Sequence, residues 1–87
     1  MLKIKDNVDF KELEKYGFKQ APCGDYILIF QDTYTGAIDI RVFTDKMIYP
    51  KSDLDIYNRG NKNELKMYDI LYDLIKADLV ERVDDNE

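Results

Sequence analysis

Residues 62–77 constrain the fold more than any other stretch. On an ideal helix Lys62, Lys66, Asp69, Asp73 and Lys76 fall on one narrow stripe, spaced four, three, four and three. Leu65, Met67, Tyr68, Ile70, Leu71, Tyr72, Leu74 and Ile75 fill the remaining arc, about 220° wide. A helix lying on one sheet face needs an apolar stripe only somewhat wider than about 100°. The spacing therefore predicts a helix over 62–77 covered on more than one side. Its Leu65, Tyr68 and Tyr72 flank is expected to meet the first helix, a loop or another chain. Asn61 is the expected N-cap, Glu64 completes a capping box, and Lys66–Asp69 and Asp73–Lys76 can pair along the wet stripe.

The other elements are shorter. Asp9 and Glu12 form a capping-box pattern, and Val8 with Leu13 forms a hydrophobic staple. Gly17 followed by Phe18 reads as a Schellman ending, so a two-turn helix over Phe10–Tyr16 is bracketed at both ends. Two turns are not stable alone and must dock through Phe10, Leu13 and Tyr16. Residues 19–24 hold Pro22, Cys23 and Gly24 and read as a loop. Residues 25–32 are almost continuously apolar, which predicts a central strand covered on both faces. In residues 37–44, Ile38, Ile40 and Val42 alternate with Asp39, Arg41 and Phe43, the pattern of a half-buried strand. Residues 33–36 and 45–46 are the expected turns. Met47 to Tyr49 is a third strand that Pro50 should end, Leu54 to Tyr57 a fourth, and Leu79 to Val83 a last one. The expected fold is α+β in one domain, 1–87. A small, mostly antiparallel sheet of three to five strands carries a short N-terminal and a longer C-terminal helix, with 84–87 as a frayed acidic tail.

Composition narrows the chemistry. The chain has no His and one Cys, so imidazole catalysis, an intrachain disulfide and a thiolate metal cluster are all absent. The reading is non-enzymatic, without cofactor or metal. The longest unbroken apolar run, Tyr26 to Phe30, is too short to span a bilayer. The start carries charge at once, unlike a secretory signal, so a cytoplasmic protein is expected. Net charge is −5, with the acidity concentrated after residue 77, in Asp78, Glu81, Asp84, Asp85 and Glu87. An acidic surface repels phosphate and argues against general nucleic-acid binding.

Several clusters have two readings each. Asp53 and Asp55, with Asp45 nearby, could hold a divalent metal, but the glycine-spaced oxygen ligands of a calcium loop are missing, and an exposed polar strand edge explains them. Asp69 and Asp73 could be paired carboxylates, but Lys66 and Lys76 beside them make a solvated helix face the simpler reading. Cys23, with Lys19 near in sequence, lacks a base and reads as a loop residue. Lys11 and Lys15 share a face that could meet phosphate, diluted by Glu12 and Glu14. The seven tyrosines are the strongest surface signal, because Tyr combines an apolar ring with a polar tip. Tyr34 in a turn, Tyr49 and Tyr57 near strand ends, and Leu65, Tyr68 and Tyr72 on the helix flank are the candidate partner-binding residues.

The stretches Ile4–Phe18 and Leu71–Glu81 resemble the opening and close of short uncharacterised proteins encoded by phages and prophages of Gram-positive bacteria. That family brings no established activity and transfers no site residue. The resemblance implies a small protein acting in a bacterial cytoplasm. The expected function is a non-catalytic protein-interaction module, by self-association or by binding a host protein, an anti-defence inhibitor being one version. A small nucleic-acid-binding regulatory module is the alternative.

Overall fold

The computed structural model describes residues 1–34, 36–54 and 61–83. The chain runs β1 (Leu2–Ile4), a 3-10 helix (Phe10–Tyr16), β2 (Lys19–Gln20), β3 (Tyr26–Thr33), β4 (Gly36–Val42), β5 (Met47–Leu54), α1 (Lys62–Lys76) and β6 (Val80–Arg82). The strands form one six-stranded sheet in the order β2-β3-β4-β5-β1-β6, and every neighbouring pair is antiparallel. The α+β class with a C-terminal helix is therefore as expected. The strand count exceeds three to five because β1 and β2, three and two residues long, are too short to show a period.

One sheet face is covered. The register puts Tyr26, Leu28, Ile38, Ile40, Val42, Ile48 and Leu54 on that face, and most of them are buried. Leu13 and Phe18 join them from the first helix and its ending, Met67 and Leu74 from α1, and Ile4 and Val80 from the neighbouring strands. α1 lies over β3 and β4 and reaches β6. Its first turn is tied to the sheet by polar side chains. Asn61 and Asn63 both donate to Gln31 Oε1, at 3.0 and 3.1 Å, and Ser52 donates to Glu64 at 2.5 Å.

The first helix is a 3-10 helix rather than an α-helix. The chain between β1 and β2 must cross from next to β5 to the far edge, four strand spacings or roughly 19 Å. The helix ending is as the sequence suggests: Gly17 is left-handed at φ 96°, and Phe18 N–H donates to Leu13 O at 3.3 Å. Both capping boxes are only half formed. Asp9 accepts from Lys11 N–H and Asn61 from Glu64 N–H, while the glutamates that should return the contact are engaged elsewhere. Glu12 pairs with Lys15 at 2.8 Å, and Glu64 takes the Ser52 hydroxyl.

Three strand assignments change. β3 is not a central strand covered on both faces. Its outer neighbour β2 pairs only with Tyr26 and Ile27, the far face is open, and Ile29 is 58% exposed. A run of apolar residues marks a strand without saying how many neighbours it has. Pro50 does not end β5, which runs through it to Leu54. Phe43 N–H donates to Met47 O at 3.0 Å, and bonded pairs alternate along an antiparallel ladder, so Ile40↔Pro50 is a non-bonded pair. On the other side β1 begins opposite Ile48, so the missing N–H of Pro50 removes no ladder bond. Leu54 thus closes β5 rather than opening a fourth strand, and Asp55 to Tyr57 lie outside the described residues, as does the 84–87 tail.

Gly36 is required at the β3–β4 turn. Its φ is 150°, and a Cβ there would run into the Asp53 carbonyl oxygen and Leu54. The Phe43–Met47 turn is held by Lys46, left-handed at φ 72°. Lys46 Nζ reaches the carbonyls of Val8, Asp6 and Lys5 at 2.9, 3.2 and 3.4 Å, clamping the chain as it leaves β1 for the first helix.

Candidate functional site

The helix that carries three of the candidate residues is well formed, with one apolar flank uncovered. Met67 and Leu74 are 2% and 0% exposed, whereas Leu65, Tyr68, Tyr72 and Ile75 are between 49% and 60% exposed. Neither the first helix nor any described loop covers that flank. The first helix docks instead on the sheet, where the rings of Phe10 and Tyr26 lie 4.7 Å apart and Tyr26 donates its hydroxyl to Glu14 at 3.0 Å. Of the three expected covers, the first helix and a loop are therefore not found among the described residues, which leaves another chain: one sheet face and a two-turn helix supply too little area to wrap an arc of about 220°.

The exposed four are spaced three, four and three, the spacing of one helix-pairing seam. Ile75 belongs to this surface although it was not among the candidates, and the same spacing could have found it. Charged side chains border the seam. Lys62, Asp69 and Lys76 are exposed, and Lys76 Nζ sits 5.4 Å from the centroid of the Tyr72 ring. Neither Lys66–Asp69 nor Asp73–Lys76 closes as an ion pair among the described residues, whose pairs are Lys3–Asp6, Lys5–Asp78, Lys15–Glu12 and Arg41–Asp25.

The other tyrosine candidates lie elsewhere. Tyr34 stands fully exposed at the β3–β4 turn. Tyr49 points from β5 to the open sheet face, the side opposite α1, and meets Phe43 edge-on at 4.8 Å. There a shallow groove of about 460 Å³ runs between Asp39, Arg41, Phe43, Tyr49 and Lys51. Arg41 reaches over the Phe43 ring at 5.9 Å. A second groove, about 380 Å³, lies at the β2–β3 edge against Ile27, Leu28 and Ile29. Tyr57 is outside the described residues. The described candidates therefore do not converge on one site. Among the described residues only the helix flank gathers several of them.

Chemical groups are dispersed. Asp45 accepts from Met47 N–H at 3.0 Å in its turn, Asp53 is on β5, and Asp69 and Asp73 are exposed on α1. Asp55 is not described. Cys23 is exposed. No group of three or more metal-ligating side chains occurs among the described residues. The groups displaced in titration all move away from neutrality. Lys3 is raised by its hydrogen bond to Asp6, which lowers Asp6 in turn, and Lys15 is raised by Glu12. Tyr26 is raised by burial and then by its bond to Glu14. None of the four is poised for proton transfer near neutral pH. Among the described residues no helix is long and apolar enough to cross a membrane. No protein-family model matches the chain, and neither a curated protein nor a solved structure proves similar to it.

Proposed function

We propose that this chain is a non-catalytic protein-interaction module that binds a second copy of itself or a host protein through the outward flank of α1. One observation carries the reading: Leu65, Tyr68, Tyr72 and Ile75 form a continuous apolar seam, about half exposed, on a helix whose opposite flank is anchored in the core. Large aromatic side chains held on a rigid element are the usual anchors of protein interfaces. The setting proposed is a small phage-type protein in a bacterial cytoplasm, with inhibition of a host defence protein as one version of the activity.

The test pairs capture from bacterial lysate with the Leu65→Asp/Tyr72→Asp variant. Both positions are exposed, so the variant should fold, which a melting curve checks. A partner retained by the natural chain and lost with the variant supports the reading. Identical capture by both, or no capture together with a monomer at high concentration by light scattering, overturns it.

A second reading, a small nucleic-acid-binding module, draws on the open sheet face, where Arg41 and Lys51 flank Phe43 and Tyr49. A gel shift with single-stranded oligonucleotides at low salt separates the two. No shift at tens of micromolar removes the second reading.

A further inference from the structure

We infer that the α1 seam takes an amphipathic helix of a different protein, whose flanking side chains run acidic, basic, acidic opposite Lys62, Asp69 and Lys76. The inference rests on the interaction reading above and names the partner's chemistry. The seam residues Leu65, Tyr68, Tyr72 and Ile75 are the a and d positions of a heptad, so the facing element that fits is a helix with its own three–four spacing. Lys62, Asp69 and Lys76 then fall seven residues apart along one border, all exposed and in ion pairs with no other described side chain. Lys76 already leans over Tyr72, which places its charge beside the seam.

A second copy of this chain fits poorly. In an antiparallel pair centred on the seam, Leu65 meets Ile75 and Tyr68 meets Tyr72, and the border then sets Asp69 against Asp69 and Lys62 against Lys76. In a parallel pair, Glu64 of each helix faces Asp69 of the other. Both in-register alignments thus oppose like charges. A partner helix with the complementary border removes the repulsion. Because plus–minus–plus reads the same in both directions, it does so in either orientation.

The probe is a yeast-displayed library of helical peptides with Leu at the seam positions and Glu or Lys at three border positions seven apart. Purified natural chain is expected to enrich Glu-Lys-Glu about tenfold or more over Lys-Glu-Lys. The K62E/D69K/K76E variant is expected to reverse the preference, and the Leu65→Asp/Tyr72→Asp variant to abolish enrichment. Enrichment that ignores border charge but needs Leu65 and Tyr72 overturns the charge inference and leaves the interaction reading standing. A homodimer by light scattering that Tyr72→Asp dissolves does the same. Absence of any enrichment, combined with lysate capture that the seam variant does not change, overturns both.

Discussion

α1 carries two apolar stripes with different fates. Met67 and Leu74 disappear into the core, while Leu65, Tyr68, Tyr72 and Ile75, on the same 15-residue helix, stay about half exposed. Leucine occurs on both stripes, so composition does not separate them. Geometry does, because a helix can press only one side onto a sheet, and the other side needs a further element. Here the first helix is used up crossing from β1 to β2 and covering Tyr26. The apolar residues left over are a property of the whole fold, not of the helix.

The sharpest way to break this comparison is to truncate one leucine from each stripe. Leu74→Ala is expected to cost about 2–5 kcal/mol, since it removes buried methyl groups and leaves a cavity. Leu65→Ala is expected to stay within about 0.5 kcal/mol, as surface changes do. Urea titrations of the two variants measure the difference, and equal losses would mean that the outer stripe is covered in solution.

A smaller effect is expected where the covered side is held by polar contacts rather than by packing. Lys46→Met strips one donor from three backbone carbonyls. The expected loss is about 1–3 kcal/mol, with hydrogen exchange speeding up at residues 5–8 before the α1 amides are affected. Simultaneous exchange in both places would show that the first helix and α1 unfold as one unit.

The smallest effect is a pH dependence on the same covered side. Tyr26 binds its proton more tightly folded than unfolded, because of burial and then its bond to Glu14. Its contribution is therefore fully present below the ordinary tyrosine pKa near 10 and is lost as pH rises through the higher folded value. Tyr26→Phe should flatten the alkaline decline in melting temperature between about pH 9.5 and 11. An unchanged decline would assign it to other groups.

Local grammar is legible in the sequence. The limits of α1, the Asn61 cap and the left-handed Gly17 follow from contacts within a few residues, and the alternation of Ile38, Ile40 and Val42 marks its strand by period alone. The half-formed capping boxes show where this grammar ends, because Glu64 has Ser52, distant in sequence, as a competing partner. Pro50 shows the same limit, since whether its missing N–H matters depends on which ladder position and which neighbour it meets.

The sequence by itself determined that this chain builds an antiparallel sheet with one long, over-wide apolar helix, because periodicity and caps act over one or two turns. Only the tertiary structure decided that β3 lies one strand from the edge, that β1 and β6 pair across the ends of the described chain, and which stripe of α1 faces water. Those choices depend on how much covering surface the remaining elements can supply. That quantity exists only once they are packed together.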